Sequence, residues 1–210
     1  MAMKRKIEFG CLLILTIAWA LFMLWWFFGA SIMPAKGACL VELDSLDCST
    51  FSVVYDPNLK IPIAVDWVCA ADFLNNARRE RSWRFSEDIR VSAPRACHDD
   101  YTNSGFDRGH MVPAADRSLS ISSMKSTFIM TNVCPQVPSL NRGAWKKLED
   151  GCRNYARKCA PVKVHIDAVF WNADTLRIGR HGVAVPHGFV KSVYSWPSES
   201  LMYARYFQNW

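Results

Sequence analysis

The sequence predicts an α+β domain with a central, mainly antiparallel sheet, preceded by an N-terminal hydrophobic helix. Three observations lead to this fold class: an uncharged apolar run near the N-terminus, several short β-prone segments bounded by turn residues, and one well-marked amphipathic helix. Strands and a helix in this order favour α+β. Of the 210 residues, 50% are hydrophobic and only 21% are charged, which excludes a disordered or fibrous chain.

The first element is a membrane-directing segment. Between Phe9 and Met33 the chain has no charged residue, and about 20 apolar residues at ~1.5 Å per residue span a bilayer core. The basic residues at positions 4–6 would hold the N-terminus in the cytoplasm. Two interpretations stay open, an uncleaved anchor and a signal peptide that is cleaved near Ala30-Ser31 or near Gly37. Residues 1–37 are therefore predicted to be a signal peptide or a signal-anchor transmembrane segment with a short tether.

The compartment of the remaining chain follows from that segment. Residues 38–210 are predicted to lie outside the cytoplasm, either held by a single-pass membrane anchor or secreted or periplasmic after cleavage. They contain seven of the eight cysteines, without a CxxC pair that would indicate zinc. Disulfide bonds are the expected use of cysteine outside the cytoplasm. Because seven is odd, at least one thiol stays free or pairs between chains, and Cys134 and Cys152 are alternatively buried core residues.

The net charge of +6 does not itself indicate a nucleic-acid partner. Residues 1–37 carry +3 and the exported part carries the other +3. The positive charge of residues 1–37 is largely an orientation signal for the membrane, so only the charge of the exported part is available to bind phosphate.

Residues 38–210 are predicted to form one domain. Phe51–Tyr55 and Ile61–Trp67 have the composition of strands, and Asp56-Pro57-Asn58 between them is typical of a turn, so together they predict a hairpin. The later predicted elements are a polar stretch that is either helix or loop (72–90), a β-prone run (Thr127–Val133), a helix (Asn141–Tyr155) and a half-buried strand (Val162–Phe170).

A chemically dense block follows Tyr101. Asp107-Arg108-Gly109-His110 places an acid, an arginine and a histidine around a glycine, and the glycine is expected to let the backbone bend there. Neutral His110 could take a proton from water near pH 7. The alternative is a surface ion pair between Asp107 and Arg108 beside a hydrogen-bonded loop histidine.

A second block spans Asn132 to Arg153. Asn141 stands at the start of the predicted helix, where it is either an N-cap or a functional amide. Glu149 and Arg153 have i, i+4 spacing, and a helix-stabilising ion pair is the simplest explanation of that spacing. One face of the helix is apolar at i, i+3 and i+7 and is predicted to pack in the core: Trp145, Leu148 and Cys152.

Together, these blocks resemble the DNA/RNA non-specific endonucleases, the ββα-metal nucleases that include secreted bacterial enzymes and mitochondrial endonuclease G. The similarity runs from about Tyr101 to Arg153, with a weaker echo at 185–191, where the family has a late strand. Several spaced blocks in the right order are a stronger signal than one short motif. The resemblance implies a central antiparallel sheet flanked by helices, with a metal held between a β-hairpin and a helix. The matching blocks are Asp107–His110, Asn132-x-x-Pro135-Gln136 and Leu140-Asn141-Arg142-Gly143-x-Trp145-x-x-Leu148-Glu149.

The resemblance also implies an activity and roles for single residues. It implies hydrolysis of phosphodiester bonds in DNA and RNA with one Mg²⁺, or with Mn²⁺ or another divalent ion. His110 matches the general base that activates water, Asn141 the one direct protein ligand of the metal, and Glu149 a carboxylate that holds the hydrated ion through water. The other matches are Asn132, which shapes the metal and phosphate site, Arg108 and Arg153, which face the phosphate, and Asp107 and Gly109, which support the motif loop. Arg84 resembles a family arginine upstream of the motif and is a substrate-binding candidate, as is Arg81 from the same basic stretch.

General chemistry is compatible with these roles. Mg²⁺ prefers oxygen ligands and keeps several waters, and Asn141 and Glu149 are ~12 Å apart along a helix, so both could hardly grip one ion directly. Phosphate contacts carry no base information, so one site could accept both DNA and RNA. The basic stretch 78–84 would either follow the nucleic acid or be a solvated face, and Trp83 would either stack on a base or pack in the core.

Two functions of other classes stay open. One is a nuclease-like module that binds nucleic acid at the cell envelope without cutting it. The other is a disulfide-stapled envelope protein in which the motif serves only structure. The intact set of His110, Asn141 and Glu149 favours the enzyme.

Overall fold

The computed structural model describes residues 41–44, 51–74, 77–80, 82–171 and 175–210. Their main feature is a six-stranded sheet with the strand order β1-β2-β3-β6-β9-β10, in which every neighbouring pair is antiparallel. Two short two-stranded sheets, β4–β5 and β7–β8, complete the strands. The strands are β1 (Val41–Asp44), β2 (Phe51–Asp56), β3 (Ile61–Cys69), β4 (Asp107–His110), β5 (Val133–Gln136), β6 (Val162–Val169), β7 (Arg177–Ile178), β8 (Val183–Ala184), β9 (Gly188–Ser195) and β10 (Leu201–Gln208).

Side-chain alternation along the sheet decides where the core lies. In β6, Val162, Val164 and Ile166 are buried while the residues between them are half-buried, because successive side chains of a strand point to opposite faces. The buried face shares one apolar cluster with Trp145 and Cys152, which flank or lie within helix α2 (Lys146–Lys158). Fully burying each large apolar side chain contributes roughly 1.5–3 kcal/mol. Leu148 packs against this cluster, so the predicted apolar helix face is confirmed.

The structure confirms most of the elements predicted from periodicity. The first hairpin, the helix and the strand beginning at Val162 are all present, and α2 is preceded by a helical segment, Leu140–Trp145, that is kinked at Gly143. The polar stretch 72–90 is mostly loop in its described part.

The prediction of a strand over Thr127–Val133 is wrong except for its last residue. Helix α1 (Ile121–Ser126) ends just before this run, Met130–Asn132 forms a 3₁₀ turn, and only Val133 enters β5. The Asn132 side chain forms three hydrogen bonds with backbone groups at Val112 and Thr127. These tertiary contacts outweigh the local β-propensity.

The expectation of disulfide bonds is not confirmed within the described residues. The five cysteines there are all free, at positions 69, 97, 134, 152 and 159. Cys134 and Cys152 are buried in the core, which confirms the alternative interpretation of these two thiols. The other three cysteines, at positions 11, 39 and 48, lie outside the described residues.

The membrane-directing segment predicted at residues 1–37, including the N-terminal hydrophobic helix, also lies outside the described residues. Within the described part of the chain, none of the helices is both long enough and apolar enough to cross a bilayer.

Candidate active site

The hairpin β4–β5 presents the histidine motif at its end. Asp107 pairs with Gln136 and His110 pairs with Val133 in antiparallel register. Gly109 lies in this extended strand, so the expected bend is wrong. The glycine is required for a different reason: a Cβ atom there would lie 2.4 Å from the side chain of Gln136, which is fully buried.

His110 sits between aromatic rings and has an unusual environment for histidine. Its ring centroid lies 4.7 Å from that of Phe85 and 4.8 Å from that of Phe128. Its Nε2 is buried and forms no hydrogen bond with any described residue. Burial, with a smaller contribution from the charge of Arg79, lowers the pKa of His110 to about 3. The imidazole is therefore neutral near pH 7, and the interpretation as a hydrogen-bonded structural histidine does not apply.

Asp107 connects the hairpin to the segment that precedes α2. Its Oδ2 accepts hydrogen bonds from Asn141 Nδ2 at 2.9 Å and from Arg142 Nε at 2.8 Å, and its Oδ1 accepts one from Arg142 Nη2 at 2.6 Å. The hydrogen bond with Arg142 is the main reason that the pKa of Asp107 is lowered. The predicted surface pair with Arg108 is thus wrong, because Asp107 pairs with Arg142. Asn141 is not an N-cap, because it lies inside the helical segment Leu140–Trp145, whose N-cap is Ser139.

Arg108 is fixed in the wall of the same site. Its Nε and Nη2 donate to the carbonyl oxygen of His98 at 3.1 and 2.7 Å, and Nη2 also donates to Thr102 Oγ1 at 3.1 Å. These bonds hold the guanidinium against the turn 98–102 without neutralising its charge.

Asn132 lies behind the histidine, not in the site. Its Oδ1 accepts from the Val112 amide at 2.9 Å, and its Nδ2 donates to the carbonyl oxygens of Val112 and Thr127 at 3.0 and 3.1 Å. The side chain is fully buried and ties down the backbone that follows His110.

Helix α2 supplies the opposite wall, and its charges pair differently from the sequence expectation. Arg153 does not form the predicted i, i+4 pair with Glu149. Its Nη1 donates to Asp116 Oδ1 at 2.6 Å and its Nη2 to Asp150 Oδ1 at 2.5 Å. Asp116 is itself fully buried, and its Oδ2 accepts from Trp67 Nε1 at 2.8 Å. Arg153 is thereby anchored to the sheet as well as to its own helix.

Glu149 has a partner that the sequence analysis missed. Lys191 of β9 is fully buried, its Nζ forms no hydrogen bond with any described residue, and it lies 3.8 Å from Glu149 Oε1 and 4.1 Å from the centre of the Trp145 ring. Burial raises the pKa of Glu149, and the nearby ammonium opposes that shift. Burial likewise lowers the pKa of Lys191, and Glu149 opposes it. The signal was available, since Lys191 occupies a core-facing position between Phe189 and Val193.

These walls enclose one open cavity of about 690 Å³. Five of the predicted site residues line this cavity together, although they come from two separate blocks of the sequence. Six cationic side chains and two carboxylates contribute, so the cavity favours anions. The lining consists of Arg79, Phe85, Arg108, His110, Pro113, Ala114, Ala115, Asn141, Arg142, Lys146, Glu149, Asp150, Arg153 and Arg157.

Other predicted residues do not reach the cavity. Arg84 is exposed and is not among the lining residues, and Arg81 lies outside the described residues. Trp83 is buried and packs edge-on against Phe128, which confirms the core interpretation. The cavity-lining cations that the sequence analysis gave no role at the site are Arg142, Lys146 and Arg157; Arg79 entered it only as part of the basic stretch.

The oxygen atoms available to a cation in this cavity are few. Asn141 Nδ2 donates to Asp107, and Asn141 Oδ1 accepts no hydrogen bond from the described residues. Glu149 adds a largely buried carboxylate. Among the described residues, three side chains of the usual metal-binding types converge only at Cys97, Asp100 and His181, which do not line this cavity.

Comparisons with known proteins identify the family of the chain. The sequence model of the DNA/RNA non-specific endonucleases matches residues 38–207. Mitochondrial endonuclease G of Homo sapiens is 36% identical over 162 residues, covering 72% of this chain and 54% of that protein. A nuclease of Nostoc sp. is 39% identical over 89 residues, covering 42% of this chain and 32% of that protein. The chain thus spans between a third and about half of the length of these relatives.

A solved structure supports the fold. A crystal structure of the EndoG/EndoGI complex superposes with a TM-score of 0.72 at 25% identity, covering 85% of this chain and 77% of the other.

Proposed function

Because the chain belongs to the DNA/RNA non-specific endonuclease family, we propose that it hydrolyses phosphodiester bonds in DNA and RNA with a divalent metal ion, Mg²⁺ or a similar cation. The observation that carries the proposal is the convergence of five side chains from two sequence blocks on one cationic cavity. They are His110, Arg108, Asn141, Glu149 and Arg153.

His110 is the proposed general base. A neutral imidazole has one nitrogen lone pair to accept a proton, and with its lowered pKa His110 is neutral near pH 7. General-base catalysis is most effective when the pKa lies near the working pH. A phosphate bound beside Arg79 would offset that arginine's charge and raise the pKa of His110, so substrate binding would strengthen the base. Asn132 then acts by positioning, because it holds the backbone after the histidine.

The residues present suit a hydrated divalent cation. Asn141 Oδ1 would be the direct protein ligand, oriented by the bond from its own Nδ2 to Asp107, and Glu149 would hold the ion through water. Hard cations such as Mg²⁺ take oxygen ligands and retain several waters, which fits a cavity with so few carboxylates. Such an ion, when bound, supplies Lewis-acid stabilisation to the reacting phosphate.

The arginines are proposed to bind the phosphate that is cleaved. Arg108 and Arg153 are each held by hydrogen bonds before substrate arrives, so little conformational freedom is lost on binding. Guanidinium groups donate charge-assisted hydrogen bonds to phosphate oxygens. Their contacts involve no base, which is consistent with action on both DNA and RNA.

The test is a nuclease assay on the full chain with plasmid DNA and with RNA. We expect both to be degraded with Mg²⁺, to be protected by a chelator, and to be degraded again when Mg²⁺ is restored. Asn141→Ala should reduce the rate on the order of 10²-fold at limiting Mg²⁺, whereas Asn154→Ala, on the exposed side of α2, should not. Intact substrate with a folded wild-type chain would contradict the proposal and leave the nucleic-acid-binding module as the better function.

We also propose that the domain acts outside the cytoplasm, because residues 1–37 have the composition of an export signal or anchor. The mass of the mature N-terminus distinguishes a cleaved export signal from an uncleaved anchor. An unprocessed chain found only in the cytoplasmic fraction would refute both alternatives.

A further inference from the structure

A second cavity adjoins the one that contains His110. It has a volume of about 390 Å³ and shares Ala115, Arg153 and Arg157 with the first cavity, while Arg78 lines only the second. The mechanism proposed above uses neither Arg78 nor Arg157. The second cavity therefore extends the cationic surface beyond the catalytic residues.

The arginines of this second cavity differ in how their charge is compensated. Arg153 is paired with the buried Asp116 and with Asp150. Arg78 and Arg157 are exposed, and no carboxylate of the described residues lies within ion-pair distance of either. Two uncompensated guanidinium groups in one small cavity favour an anionic ligand.

The spacing along α2 suits the repeat of a nucleic-acid strand. Arg153 and Arg157 are four residues apart on one helix face, about 6 Å along the axis. Successive nucleotides of one strand rise about 3.4 Å. For a strand that runs along α2, a phosphate at Arg157 would lie one or two nucleotides away from the phosphate at Arg153.

We propose that Arg78 and Arg157 form a subsite for a second phosphodiester group, next to the one that is cleaved. This inference rests on the proposed function, since it deepens the description of the same substrate. The ligand is the sugar–phosphate backbone of a single strand, recognised without regard to base. Arginine suits this task because its planar group donates two parallel hydrogen bonds to phosphate.

Equilibrium binding tests the subsite without any need for catalysis. The full chain is titrated with a fluorescently labelled single-stranded DNA in the presence of a chelator, over a range of salt concentrations. We expect Arg157→Gln and Arg78→Gln each to weaken binding about tenfold and to reduce the slope of log K against log salt by about 1. The matched control is Arg180→Gln, an exposed arginine in the β7–β8 turn that lines neither cavity. Slopes of the Arg157 and Arg78 variants equal to that of the control would overturn the proposal.

A cleavage assay adds a dependence on substrate length. The subsite predicts that wild-type kcat/KM is higher for an oligonucleotide than for a dinucleoside monophosphate, whose single phosphate is the one that is cleaved. Arg157→Gln should reduce this ratio mainly through KM. An equal loss on both substrates would refute a separate subsite and place Arg157 at the cleaved phosphate. If the wild-type chain cuts neither substrate, the proposed function fails, and the binding slopes still decide whether the subsite exists.

Discussion

His110 and His165 lie in two regions of the molecule that give the same side chain different charges near pH 7, neutral for His110 and positive for His165. His165 is on the half-exposed face of the main sheet, where its Nδ1 is 3.0 Å from Asp66 Oδ2 and its Nε2 is 3.0 Å from Asp167 Oδ1. Hydrogen bonds with Asp167 and Asp66 raise its pKa to about 10. His110 has no carboxylate partner, and burial with Arg79 lowers its pKa to about 3.

The difference shows that the surroundings of each histidine set its protonation state. On the sheet face, carboxylates use both ring nitrogens and keep the imidazole as a structural cation. In the cavity, burial and the charge of Arg79 disfavour the cationic form, so His110 keeps a lone pair near pH 7. A histidine is thus a candidate base here because of the groups that are absent from its surroundings.

The largest expected effect separates the two histidines by activity. His110→Ala should lower the rate of nucleic-acid cleavage about 10²- to 10⁴-fold, the usual contribution of a general base. His165→Ala should change that rate less than about twofold, because its ring lies on the other face of the sheet from α2. Initial rates on plasmid DNA, with circular dichroism to verify folding, measure both. Equal losses of cleavage rate in the two variants would contradict a catalytic role that is specific to His110.

The next effect compares acids of the two regions by stability. Asp116→Asn weakens the buried pair with Arg153 and should lower the free energy of unfolding by about 3 kcal/mol, since breaking a buried pair leaves a charge uncompensated. Asp66→Asn acts on a partly exposed pair, which is worth about 1 kcal/mol or less. Urea unfolding of both variants gives the two values. A larger loss of unfolding free energy for Asp66→Asn than for Asp116→Asn would contradict the structural importance of the Asp116–Arg153 pair.

The smallest effects concern pH and have opposite signs. Because the folded pKa of His165 is raised to about 10, its contribution to stability is fully present below about pH 6.5 and is lost as the pH rises towards 10. The free-energy difference between wild type and His165→Gln should accordingly shrink over that range. Chemical denaturation at several pH values measures it, and a difference that grows with pH would refute the pairing.

For His110 the folded pKa is lowered, so protonation opposes folding and catalysis only in acid. In the free enzyme, kcat/KM should therefore not fall as the pH drops through about 6.5, the usual pKa of histidine. A pH–rate profile of kcat/KM checks this. A fall of kcat/KM below a pH of about 6.5 that is absent from a His110 variant would mean that His110 is solvated, not buried.

Much of the fold follows from local patterns, and the exceptions have physical causes. The hairpin beginning at Phe51 and the apolar face of α2 were predicted because alternation and helical periodicity are properties of neighbouring residues. The β-prone run ending at Val133 was misassigned because the Asn132 side chain is bonded to the distant backbone of Val112 as well as to Thr127 at the start of the run. Gly109 was recognised, but the reason for it is the close approach of Gln136, which no local pattern contains.

The sequence by itself determined the family, the strand and helix periodicity, and the candidate residues for the chemistry, because motif identity and side-chain spacing are properties of the chain. Only the tertiary structure decided the partners. Arg153 pairs with Asp116, 37 positions away, and Glu149 meets the buried Lys191 from β9. These contacts depend on how α2 packs on the sheet, and the resulting burial, not the residue type, sets the charge of His110.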